Sequence, residues 1–206
     1  SSREAAAAAR LEARARGLRL VTHAGSEPGQ TCVVLLAAEG RPESRDGTPA
    51  RLAERCTFAT VWPASMAVRP AGDALTLAVQ PLEGWTELWV FRADSAHGAN
   101  STNSANSADS ADGAARRTTA AWRIDVLPPA ASPGLGYVEF AGWVPGAQPR
   151  LLVARESHTD GRLQRRFEVL SLDTLDPVKQ AGTPQLLVAF GQHSDAQWRK
   201  RTVALR

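Results

Sequence analysis

MAVRPAGDALTLA at residues 66–78, followed after seven residues by TELWVF at 86–91, is the stretch that decides how this chain folds. Each piece is of strand length and rich in Val, Leu, Thr, Trp and Phe, and Pro70 with Gly72 marks a reversal within it. A second stretch can be laid over the first. It runs AGWVPGAQPRLLVA at 141–154 and then RRFEVLSL at 165–172, with Pro145 and Gly146 at the reversal. The copies begin 75 residues apart, at 66 and 141. Between them, residues 93–118 are almost wholly Ala, Ser, Asn, Asp and Gly. That composition buries too little apolar surface to offset the entropy of ordering, so a disordered insertion expanding a hairpin turn is expected there. Without it the repeat is about 50 residues, the size of one four-stranded β unit.

The same pattern extends in both directions. Candidate strands lie at 18–24, 31–38, 55–62, 65–69, 74–80, 86–92, 121–127, 137–144, 149–156, 165–172, 184–190 and 199–205, separated by turns such as SEPG, LEGW, HTDG and LDP. Residues 3–16 (REAAAAARLEARAR) differ: alanine and arginine favour a short N-terminal helix, ended by Gly17. Its only large apolar side chain is Leu11, so residues 1–16 read as a helical arm or linker ahead of a β domain at 17–206. Twelve strands taken four at a time make three units, and the fold class is all-β.

These motifs resemble the WD40-like, TolB-type β-propeller repeat of bacterial proteins, whose blades carry a strand, a Ser-Pro-Asp-Gly turn and a second strand. Arg69-Pro70-Ala71-Gly72 and Val144-Pro145-Gly146-Ala147 stand at that turn, keeping its Pro and Gly without its Ser and Asp. ELWVF at 87–91 and FEVLSL at 167–172 resemble the third blade strand. The resemblance implies a partial β-propeller of about three four-stranded blades. Closed rings have four to eight. Together with an opening Ser-Ser-Arg-Glu and a single internal Met66, this implies further blades upstream. A two-sheet β-sandwich is the alternative architecture.

Charge excludes one class of partner. Residues 1–19 hold five arginines and two glutamates, which accounts for the whole net charge of +3. The remainder is neutral and lacks the basic face that nucleic-acid binding needs. No apolar run approaches the ~20 residues of a membrane span. Arginine and alanine dominance fits a high-GC bacterial genome. Cys32 and Cys56 either form a disulfide closing a loop of about 25 residues or sit as buried small hydrophobes. A bond points to a periplasmic or exported location, the cytoplasm being the alternative. Two cysteines 24 apart, with no histidine at ligand spacing, fall short of a metal site, so no metal and no cofactor is expected.

Catalytic motifs are missing. The sequence has no nucleophile elbow, no H-E-x-x-H, no phosphate loop and no C-x-x-C. Gly134-Leu135-Gly136 lacks the third glycine of a dinucleotide loop, and His193 with Asp195 reads as an exposed turn. Six tryptophans stand out, most expected between blades. Trp85, at a hairpin tip, is the one expected to be exposed, and with Glu83 and Arg155 it makes a candidate ligand or sugar platform. The expected function is a non-catalytic interaction module, with no catalytic residue in this segment, binding a protein or small ligand through loops on one face. The alternatives are a propeller gating a hydrolase or peptidase whose catalytic part lies outside this chain, and a carbohydrate-binding module using exposed tryptophan.

Overall fold

The computed structural model describes residues 12–38, 49–94, 121–159 and 161–203. They form twelve strands and two short helices. β1 (Glu12–Ala15), β2 (Leu18–Ala24), β3 (Thr31–Ala37) and β4 (Arg51–Thr57) make one antiparallel meander. β5 (Thr60–Val68), β6 (Ala74–Leu82), β7 (Trp85–Ala93) and β8 (Trp122–Leu127) make a second. β9 (Gly136–Val144), β10 (Arg150–Thr159), β11 (Arg162–Ser171) and β12 (Pro177–Ala181) make a third. The second and third share a corner, where β7 and β9 pair in parallel over only two residues, Trp85 with Gly136 and Thr86 with Tyr137. Through this pairing they belong to one eight-stranded sheet.

Period-two alternation explains how the sheets stack. Leu75, Leu77, Val79, Trp89 and Phe91 point to one face of the second meander and pack on Leu18, Leu20, Val33 and Leu35 of the first. Their neighbours Ala74, Leu88 and Val90 point to the opposite face and pack on Val138, Leu151, Val153 and Leu170 of the third. Leu152, Ala154, Phe167 and Val169 then line the far face of the third meander. Residues that read as near-continuous apolar runs in sequence are therefore central strands covered on both sides.

The far face is closed by helices, which corrects two expected strands. Residues 184–190 form a single 3-10 turn followed by α1 (Val188–His193), and 199–205 overlaps α2 (Ala196–Val203). Phe190 and Trp198 from these helices make edge-on contacts with each other and with Phe167, at centroid separations of 5.6–6.2 Å. The third meander's fourth strand is instead β12, a short exposed edge that lies outside the expected strand spans. Asp195 is the N-cap of α2: its Oδ1 accepts from the backbone N–H of Gln197 at 2.8 Å and of Trp198 at 3.2 Å. The His193–Asp195 pair is thus explained by helix capping.

The N-terminal helix is corrected where it is described. Residues 12–15 are β1, paired with β2 through a two-residue turn at Arg16 and Gly17, both at positive φ (52° and 74°). That geometry suits the twist of a hairpin, and cross-strand pairing outweighs the helical preference of alanine and arginine. Residues 1–11 lie outside the described residues, as does most of the expected insertion, from 95 to 118. Ala93 ends β7, and the N–H of Asp94 donates to the carbonyl of Ala121 at 2.6 Å. Among the described residues, no helix is long and apolar enough to cross a membrane. Cys32 and Cys56 are directly opposed across β3 and β4 and are joined as a disulfide.

Candidate functional site

A cleft of about 710 Å³ opens at the end of the sheets where both Pro/Gly turns lie. Its wall on the second meander is Arg69 and Asp73 of the β5–β6 turn, Arg92 and Asp94 at the end of β7, and Arg123 on β8. The third meander supplies Gly146, Ala147 and Pro149 of the β9–β10 turn and Leu172 and Asp173 beyond β11. The β5–β6 turn is closed by two backbone bonds, Gly72 N–H to Arg69 O at 2.8 Å and Arg69 N–H to Ala74 O at 2.9 Å. Gly72 sits at φ 72°, the left-handed region where a Cβ is costly.

Arg92 is the anchor. Its side chain, 7% exposed, donates from Nε and Nη2 to Asp125 Oδ2, and from Nη1 to the carbonyls of Leu172 and Asp173, the latter at 2.7 Å. It therefore ties the second meander to the third across the floor of the cleft. Arg123 adds a donor to Asp173 O at 3.1 Å and lies 3.4 Å from Asp94 and 3.6 Å from Asp125. Arg69 pairs with Asp73 at 2.5 Å. Every arginine of the cleft is held by carboxylates or carbonyls. Asp73 Oδ1 is buried without a hydrogen-bond partner, so it is closed to a guest. The Asp173 carboxylate is exposed and has no ion-pair partner among the described residues. Bound arginines and the exposed Asp173 carboxylate suit the cleft to receive N–H or O–H donors from a guest.

The candidate platform at the opposite end is arranged differently from the expectation. Trp85 is 3% exposed, buried at the corner beside Gly136, and its Nε1 donates to Glu87 at 3.3 Å. A Cβ on Gly136 would meet Pro129 at 2.8 Å and the backbone of Ser157 at 3.1 Å, so that glycine serves close packing. Glu83 is exposed in the β6–β7 turn. Arg155 is tied to the buried Glu168 at 3.0 Å and to the carbonyl of Pro128. The three residues share one end of the sheets, but Trp85 offers no open ring and Arg155 is already satisfied. The exposed indole is Trp62 on edge strand β5, at 50% exposure. The reason is geometric: the hairpin tip is roofed by the parallel β7–β9 corner, a long-range pairing with no local sequence signature.

The same end holds the chain's single tyrosine. Tyr137 donates its hydroxyl to Glu156 at 2.9 Å, and Glu156 also lies 3.7 Å from Arg165. Burial first, then the hydrogen bond and the negative charge of Glu156, push the phenol's pKa up to about 12.

No family model matches this chain, and neither the curated proteins nor the solved structures contain a match to it.

Proposed function

We propose that this chain is a non-catalytic interaction module of propeller type that binds a protein partner through the cleft between its second and third meanders. The observation that carries the proposal is the state of the cleft's charges: its arginines are bound, and the Asp173 carboxylate stands exposed beside them. Such a surface recognises donors and lacks an activated nucleophile or base. A partner loop presenting basic or hydroxyl side chains fits it. The propeller reading is supported by three successive four-stranded antiparallel meanders that share apolar clusters, the first with the second and the second with the third. Export is supported by the Cys32–Cys56 disulfide.

Peptide display tests the assignment. Peptides selected on the wild-type chain and counter-selected on Ala147→Trp, which fills the cleft, are expected to carry Lys, Arg, Ser or Thr and to bind the variant at least tenfold more weakly. Equal binding to both proteins, or turnover by the purified chain, overturns it.

A further inference from the structure

The outer face of the first meander places a second set of reactive groups together. His23 on β2, Cys32 on β3 and Cys56 on β4 occupy one cross-strand row, since His23 pairs with Cys32 and Cys32 with Cys56. Glu54 lies two residues from Cys56 and so on the same face. The ligand atoms of His23, Cys32 and Glu54 all lie within 4.8 Å of one another. Bonds of the usual zinc lengths define a tetrahedron with edges of about 3.3–3.8 Å, within reach of small rotamer adjustments.

The orientation of His23 is an independent pointer. Nδ1 is 2.8 Å from the carbonyl of Ala24, which can only accept, so Nδ1 carries the proton. In neutral imidazole Nε2 then presents a lone pair, and it faces Glu54 Oε1 at 3.2 Å. Two acceptors in contact call for a cation between them, either a proton or a metal ion. A histidine fixed by an Nδ1–H bond to a backbone carbonyl is the arrangement that orients metal-binding imidazoles. Glu54 is further positioned by Arg51, which engages its other oxygen, Oε2.

We propose that His23, Cys32, Cys56 and Glu54 form a redox-gated site for a thiophilic divalent cation of the zinc class. With the disulfide closed, neither sulfur is a thiolate and the site is shut. A dithiol reductant opens it: its thiolate attacks the exposed Cys56 sulfur, Cys32 leaves, and a second thiol resolves the mixed disulfide. Two electrons and two protons pass from the dithiol, which becomes a disulfide, to give two cysteine thiols. Metal binding then displaces both thiol protons, and the cation takes two sulfurs, Nε2 and a carboxylate oxygen. Cys32 is 3% exposed, which shields the metal–sulfur bond, whereas exposed Cys56 admits the reductant.

Cobalt(II) is the probe. The whole chain, oxidised or reduced by a water-soluble phosphine (itself converted to phosphine oxide), is titrated anaerobically while circular dichroism follows folding. The reduced protein is expected to bind one equivalent, with thiolate-to-cobalt charge transfer and tetrahedral ligand-field bands, and the oxidised protein none. His23→Ala and Glu54→Gln are each expected to weaken binding at least tenfold. Cys56→Ala, which needs no reductant, is expected to retain weaker binding with a single-thiolate spectrum. If the reduced chain unfolds, recovery of structure on adding zinc supports the site, and failure to recover overturns it. Binding by the oxidised chain, binding indifferent to His23→Ala, or no cobalt bands in the reduced folded chain also overturns it.

Discussion

Arg92 on β7 donates from two nitrogens to one oxygen of Asp125 on β8, at 3.1 and 2.6 Å, while its third nitrogen reaches backbone carbonyls beyond β11. One side chain thus closes the seam between two sheets. Replacing it leaves the carbonyls of Leu172 and Asp173 without this donor, so Arg92→Met is expected to destabilise the fold by about 1–3 kcal/mol. Asp125 is 37% exposed and water can take over part of its role, so Asp125→Asn is expected to cost no more than about 1 kcal/mol. Urea unfolding of both variants checks the contrast.

Tyr137 makes the pH dependence readable, because no other tyrosine contributes to the tyrosinate absorbance. The native chain is expected to titrate near the raised value of about 12, and the unfolded chain near the ordinary value of about 10. The folded state favours the neutral phenol. Its contribution is therefore complete below the unfolded pKa and is lost as pH rises from there through the folded one. Tyr137→Phe is expected to flatten that alkaline decline in urea unfolding.

The disulfide joins residues 24 apart, and closing a loop of that length is worth about 3–3.5 kcal/mol by the chain-entropy argument. Cys32→Ala with Cys56→Ala is expected to lower stability by an amount of that order. Phosphine treatment is expected to do the same to the wild type in metal-free buffer and to leave the double variant unchanged. Denaturant midpoints measured with and without the phosphine check it.

Gly142, at the β9 bulge, lies against the carbonyl of His193, and a Cβ there would also meet Ser194 Cα at 3.1 Å. Gly142→Ala is expected to force the helical cap outward at a cost of about 1–3 kcal/mol. Trp198→Ala, which empties the cap's aromatic cluster, is expected to cost about 3–5 kcal/mol. Hydrogen exchange of β9 and β10 amides should accelerate in both, with the first meander unchanged.

Much of the β core was legible along the chain. β2, β6, β7, β9 and β10 fall within a few residues of their expected spans, because each is a run of apolar residues bounded by Gly, Pro or Asp. The C-terminal elements were not. LLVAF at 186–190 satisfies strand and helix patterns alike over so short a window. Only Asp195, a capping residue ahead of Ala-Gln-Trp, carried a local helix signal. β1 was hidden for the opposite reason, a helical composition overridden by pairing with β2.

The sites divide in the same way. Opposed strands brought Cys32 and Cys56 together, one of the two arrangements their sequence positions allowed. His23 had no ligand spacing along the chain, and only the register of β2 on β3 delivers it to Cys32. Trp85 lies beside a local turn that favours exposure, and the long-range β7–β9 corner buries it.

Alternation, turn residues and composition are properties of neighbours along the chain, and they sufficed for a β protein of short antiparallel strands with a neutral body. Which faces meet, which loop ends enclose a cleft and which side chains share a row depend on pairings between residues far apart in sequence. Those pairings are selected by the burial they jointly achieve, a sum over the whole fold that no single window of residues contains.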